Sequence, residues 1–189
     1  VVSPGFIDIH SHSDLSVFFN PKLESTLRQG VTTSVVGNCG LSLAPINPDR
    51  KDLLIKEASS ILPICEELEI DWSRFDEYLS RLEKTGLSAN IATLVGHGTV
   101  RISVMGLENR DPTRKELNEM KRLVAEAMEA GAVGMSTGLI YPPGVYSKTD
   151  ELIELCRVVA KYRGISITVS SDVSKLKENI EYHGGPGGI

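Results

Sequence analysis

Aromatic residues are scarce: Phe, Trp and Tyr make up 5% of the 189 positions, and there is one Trp. Cysteine is scarcer still. Cys39, Cys65 and Cys156 are odd in number and widely spaced, and no CxxC occurs. That pattern argues against a disulfide framework and makes a reducing cytosol the expected compartment. No apolar run approaches the roughly 18–20 residues needed to cross a bilayer. A basic, then apolar, then small-residue leader is also missing. Neither GxGxxG nor GxxxxGK(S/T) follows the first apolar run, so a nucleotide-binding open sheet loses support. The net charge is −5 and the basic residues form no block. Nucleic acid and anionic membrane are therefore not expected as partners.

The composition that remains is ordinary for a chain that buries a core: 41% hydrophobic and 24% charged. Its pattern alternates. "GFIDIH" reads as a short buried strand, apolar at Phe6, Ile7 and Ile9 with no helical period. "PKLESTLRQG" reads as a short helix closed by Gly30, and "VTTSVVGNCG" as a β-branched strand entering a tight loop. A polar, helical insert covers about 49–85. Its clearest helix is "DWSRFDEYLSRLEKTG", with Asp71 as N-cap and Gly86 as stop. "ANIATLVGHGTVR" gives a third strand, Asn90 to Val95, and a Gly-flanked loop. "DPTRKELNEMKRLVAEAMEAGAVG" is a helix with a Thr113–Glu116 capping box, followed by a fourth strand. "TDELIELCRVVAKYRG" is amphipathic and places Cys156 in the core. "ISITVSS" is a fifth strand and "DVSKLKENIEYH" a last helix.

Five alternations of this kind mean parallel βαβ units with right-handed crossovers. Two α/β architectures fit: a doubly wound open sheet, or a (β/α)8 TIM barrel present as a partial barrel of about five βα units. Residues 1–189 have the length of one domain, or of part of a larger one, and are expected to form a single partial-barrel domain.

The chemistry-bearing residues fall in the loops after the strands. His10 and His12 end the first strand, and residues two apart on a strand share a face. Asn38 and Cys39 follow the second, His97 the third, and Ser136, Thr137 and Tyr141 the fourth. In a barrel those loops share the C-terminal rim, where active sites lie. Glycines that only supply positive φ would explain the glycines of "GNCG" and "GHG". They would not explain Cys39 and His97, since Cys and His are poor turn formers. A mixed His/Cys set suits a borderline metal, zinc first, with iron and cobalt as alternatives. Arg101 could meet an anionic substrate or sit in a salt bridge. Asp14 could accept from a metal-bound histidine or cap the next turn.

Taken together, "PGFIDIHSHSD", "GVTTSVVGNCG", "GHGTVR" and "MSTGLIYPPGVYSKTDEL" resemble the N-acyl-D-amino-acid deacylases (D-aminoacylases) of the amidohydrolase superfamily. HxH is common across that superfamily. The cysteine of "GNCG" and the "STGLIYPPG" loop are far more specific. The resemblance runs from residue 1 to about 163 and implies a (β/α)8 barrel beside a small β-sandwich. It implies zinc held by Cys39 and by two histidines of later strands, with His10 and His12 lining a second, weaker position. Tyr141 would bind the substrate carboxylate, with His97 and Arg101 as further candidates for substrate contact. The implied reaction is hydrolysis of a small N-acyl-D-amino acid by metal-activated water, with a late Asp moving the proton.

Three departures accompany the resemblance. The chain begins within the first strand. The later strands, with the two zinc histidines and the catalytic Asp, do not appear, so no catalytic residue is expected here. Residues 164–189 diverge: Ser170, Ser171 and Asp172 stand where a "THMR"-like motif would finish, and His183 lies too late. Five units cannot close a barrel, so open edges and a homo-oligomer are expected. The alternatives are a cyclic amidohydrolase of the dihydroorotase type, and a non-catalytic remnant that serves as a binding module. "GNCG" argues against the first, because that class bridges its metals with a carboxylated Lys.

Overall fold

The computed structural model describes residues 2–169. The last expected helix, Ser170 to Asp172 and His183 lie outside the described residues. Five strands form one parallel sheet: β1 (Phe6–Asp8), β2 (Val31–Val36), β3 (Asn90–Gly96), β4 (Gly134–Gly138) and β5 (Ile165–Val169). Their order in the sheet is their order in the chain, with no reversal. A doubly wound sheet reverses order at a switch point. The sheet is therefore a barrel-type arc, as expected for a partial (β/α)8 barrel.

Helices α1 (Glu24–Leu27), α2 (Lys51–Ile61), α3 (Phe75–Thr85), α4 (His97–Met105), α5 (Arg114–Ala130) and α6 (Thr149–Lys161) accompany the strands. The core joins strand residues Val95 and Met135 to Leu54, Val100, Met120, Val124 and Leu155 from the helices. Three of the aromatics, Trp72, Phe75 and Tyr78, lie in the insert and pack with Phe18 from the loop after β1. Phe18, Trp72, Phe75 and Tyr78 stack or tilt against one another. Trp72 Nε1 donates to the Leu43 carbonyl at 2.7 Å.

Local signals set several boundaries as expected. Thr113 Oγ1 accepts from Glu116 N, and Glu116 accepts from Thr113 N at 2.7 Å, so the capping box of α5 is formed. Cys156 is buried on the inner side of α6. Gly86 ends α3 at φ 73°.

Four readings need correction. The apolar residues of the first strand are not buried: Phe6 and Ile7 are 61% and 63% exposed, and Ile9 69%. β1 pairs only with β2 among the described residues, so its apolar side chains have no second layer. β1 also stops at Asp8, so His10 and His12 sit in the loop beyond it. "GHGTVR" is helix α4, not loop. Its helix begins at His97, directly after β3, and all but one of its residues are buried. Asp71 does not cap α3. Trp72 is anchored in the core and the helix starts later, with Glu77 accepting from Ser73 N and Arg74 N at 2.9 and 3.0 Å. Asp71 faces Arg81 at 3.7 Å instead.

Candidate metal centre

The loop "GNCG" leaves β2 through a backbone that only its glycines permit. Gly37 has φ 76°, and a Cβ there would sit 2.2 Å from the Leu94 carbonyl. Between Gly37 and Gly40, Cys39 itself adopts φ 58°. A left-handed backbone costs a non-glycine residue roughly 1–2 kcal/mol, and it persists only where neighbours enforce it.

Those neighbours are visible. Ser136, inside β4, donates its hydroxyl to the Gly37 carbonyl at 2.5 Å and accepts from Gly40 N at 2.9 Å. Thr99 N, in the first turn of α4, donates to the Gly40 carbonyl at 3.1 Å. Asn38 is buried and uses its amide twice, donating to the Val35 carbonyl at 2.8 Å and the Ser11 carbonyl at 3.1 Å. The second bond ties the cysteine loop to the histidine loop.

The result is convergence. One ligand atom each from His10, His12 and Cys39 lie within 4.8 Å of one another, the one such metal-competent group among the described residues. His10 Nε2 is 3.2 Å from Cys39 Sγ. The two imidazoles meet edge to face, with centroids 5.8 Å apart. Burial, and then the charge of His10, pulls the His12 pKa down, favouring the neutral ring that binds metal. His12 Nδ1 is buried and has no hydrogen-bond partner. Two imidazoles, one of them with an orphaned ring nitrogen, and a thiol fit a borderline cation such as zinc.

Beneath the histidine loop lies Asp14, 1% exposed. Neither carboxylate oxygen has a well-aligned partner. Burial pushes its carboxyl up to about 7, against the pull of the backbone N–H groups of Asp14, Gly37 and Leu15. It neither bonds a histidine nor caps a helix.

A cavity of about 340 Å³ opens beside the donors. Its lining includes His12, Cys39, Gly98 and Tyr141, so the segments that follow four different strands, three loops and the first turn of α4, share one rim. The size is that of a small-molecule site. Burial, and then the neighbouring Cys39 thiol, pushes the Tyr141 pKa above the usual range.

Two other residues expected to meet substrate are placed elsewhere. His97 and Arg101 are fully buried and absent from the cavity lining. His97 Nε2 lies 2.7 Å from Glu151 Oε1, and Arg101 pairs with the other oxygen of Glu151 and with the Arg110 carbonyl. Burial alone would raise the Glu151 pKa. The hydrogen bond and charge of His97, then those of Arg101, bring it below the usual carboxylate value. This network joins α4 to the first turn of α6. Ser136 and Thr137 lie within β4 and are buried rather than exposed on the rim.

Sequence reasoning missed Glu151, which the amphipathic pattern of α6 does not single out from its other polar residues. It also missed Glu57, Ser60 and Ile61 of α2, which line the cavity. Nothing in the pattern of α2 shows which of its faces meets the rim.

Residues 1–184 match the sequence profile of the Amidohydrolase family. The chain is 41% identical over 175 residues to a D-aminoacylase of Alcaligenes xylosoxydans xylosoxydans, covering 91% of this chain and 34% of that protein. It is 38% identical over 156 residues to an N-acyl-D-aspartate deacylase of the same organism, covering 82% and 30%. Among solved structures, the N-acyl-D-glutamate deacylase of Bordetella bronchiseptica, complexed with zinc and a phosphonate inhibitor, superposes with a TM-score of 0.82. That match has 33% identity and covers 98% of this chain and 39% of the other. The chain thus spans about a third of the length of the curated relatives it matches.

Proposed function

The chain belongs to the amidohydrolase family, and from that premise we propose that it supplies the metal-binding and substrate-binding part of a zinc-dependent hydrolase of N-acyl-D-amino acids. One observation carries the reading: His10, His12 and Cys39 converge within 4.8 Å beside a cavity that Tyr141 lines. These three side chains would hold the metal. When bound, it supplies a water acidified to a pKa of about 7 and a Lewis acid for the amide carbonyl.

The chain's own residues have separable tasks. Asn38 and Ser136 hold the cysteine loop at bonding distance from the histidines. Tyr141 presents a hydroxyl at the cavity and binds the substrate carboxylate. The apolar walls, among them Leu41 and Ile102, exclude bulk water from the reacting amide. His97 and Arg101 act from behind, through Glu151, by fixing α4 and α6. The proton-shuttling Asp of the family is assigned to no residue here, so little turnover is expected from these 189 residues alone.

Two further readings complete the proposal. β1 and β5 each have one strand neighbour among the described residues, and Phe6, Ile7 and Ile165 are exposed there. The isolated chain therefore self-associates through those edges. A monomer by size-exclusion chromatography contradicts this. All three cysteines are free, and no described helix is long and apolar enough to cross a membrane. Free thiols of this kind fit a cytoplasmic setting.

The test is stereochemical. Zinc-supplemented chain is titrated calorimetrically with N-acetyl-D-methionine and its L enantiomer. Preferential binding of the D form, weakened in Tyr141→Phe, is expected. Equal affinity for the two enantiomers, or none, contradicts the proposal.

A further inference from the structure

The insert between β2 and β3 reaches the rim. From α2, Glu57, Ser60 and Ile61 join the lining of the cavity beside the donor cluster. Apart from the donors His12 and Cys39 and the Tyr141 hydroxyl, the rest of that lining is apolar or glycine, with Leu41, Ile102 and the Pro142–Pro143 turn. Among the described residues that line it, Glu57 is the only carboxylate, and neither Lys nor Arg is present. The Glu57 carboxylate has no hydrogen bond or ion pair among the described residues. The Ser60 hydroxyl turns to the Glu57 backbone carbonyl instead, at 2.6 Å. Burial pushes the Glu57 pKa up, and the charge of Lys56 opposes this. No Lys or Arg of the cavity lining neutralises the acid.

A half-buried carboxylate with no ion pair, in a cavity whose walls carry no cationic Lys or Arg, has a definite effect on ligands. It stabilises a positive charge entering the cavity and repels a negative one, and the low local polarity strengthens both effects. A cavity built for an aspartyl or glutamyl side chain needs the opposite, a Lys or Arg to pair the ligand's carboxylate. We propose that Glu57 sets the charge preference of this cavity, selecting N-acyl-D-amino acids with neutral or cationic side chains and rejecting those with acidic ones. The proposal rests on the reading of the cavity as an N-acyl amino acid site and goes further by naming the substrate class. It sets this chain apart from the relatives named for D-aspartate and D-glutamate.

The experiment is a calorimetric titration of the purified chain, treated with chelator so that no turnover intervenes. The probes are N-acetyl-D-arginine, N-acetyl-D-leucine and N-acetyl-D-aspartate at pH 8, against the native protein, Glu57→Gln and Tyr141→Phe. The native chain is expected to bind the arginine derivative tightest and the aspartate derivative weakest, with roughly tenfold between successive probes for charges a few ångströms apart at partial exposure. Glu57→Gln, which keeps the shape, is expected to collapse that spread to about twofold. Tyr141→Phe is expected to weaken all three probes by a similar factor and leave the spread intact. An unchanged spread in Glu57→Gln, with Tyr141→Phe still weakening every probe, overturns the role of Glu57 and leaves the cavity reading standing. No binding of any probe to the native chain overturns both.

Discussion

Gly138→Ala adds one carbon at the last residue of β4. That carbon would lie 2.1 Å from the Cys39 carbonyl oxygen and 2.6 Å from Cε2 of Tyr141. An ordinary carbon–oxygen contact is about 3.3 Å, so one side must retreat by about 1.2 Å. The Cys39 loop has nowhere to go. Gly40 is bonded to Ser136 on one side and to Thr99 N on the other. The Gly40 carbonyl already fills the space over Gly96 and Gly98, which leave room for no Cβ. The strain therefore falls on the loop's left-handed turn and on the Tyr141 ring. Overpacking of this kind costs about 1–3 kcal/mol. Displacing one of three donors by about an ångström is expected to weaken metal binding by on the order of 10–100-fold, the range seen when a ligand's supports are lost. The assay is a cobalt titration that follows the thiolate-to-metal charge-transfer band, alongside thermal denaturation. Gly86→Ala is the control. Its Cβ meets nothing within 4 Å, but its φ of 73° is strained for alanine. It should lose about 1 kcal/mol of stability and no cobalt affinity. Wild-type cobalt affinity in Gly138→Ala would refute the claim that packing against β4 fixes Cys39.

Asn38→Ala removes one buried and one partly buried hydrogen bond, each worth about 1 kcal/mol, and cuts the tie to the Ser11 loop. Stability should fall by about 2–3 kcal/mol in urea, and cobalt should bind about tenfold more weakly even below the melting transition. Glu151→Gln leaves Arg101 buried with no carboxylate and should cost about 3–5 kcal/mol in denaturant at pH 7. Because Glu151 is held below its unfolded pKa, its contribution is complete above the unfolded value and is lost as the pH falls through the lower folded value. The native chain should thus lose more stability than Glu151→Gln between pH 5 and pH 3, read from melting temperatures. Metal affinity and stability should respond differently to the two variants, because Asn38 touches the donor loops and Glu151 does not.

How much of this was legible depended on the range of the interaction involved. The α5 capping box was readable because Thr113 and Glu116 meet within one turn. The convergence of "HSH" with "GNCG" was readable as a shared rim, because strand alternation fixes where post-strand loops go. The route was not: His10 and His12 meet Cys39 through a loop, held by the side chain of Asn38, and not through the face of β1. Helix α4 was hidden by two glycines and β-branched residues, which disfavour a helix unless packing enforces it, and here α4 is buried almost all round. Phe6 and Ile7 are apolar as a buried strand should be, yet exposure depends on which strands flank them. The fates of His97 and Arg101 turned on Glu151, 54 and 50 residues away along the chain. A pairing that distant leaves no periodic trace. Glu57 is hidden for the same reason, because its position depends on how the insert docks on the rim.

The measurement closest to the central claim is the zinc content of the purified chain by elemental analysis, after dialysis, for the native protein and for Cys39→Ala. About one zinc per native chain, lost from the variant while its melting temperature in chelator stays unchanged, is the predicted result. Zinc retained equally by both, or absent from both, would contradict the assignment of His10, His12 and Cys39 as a metal-binding set.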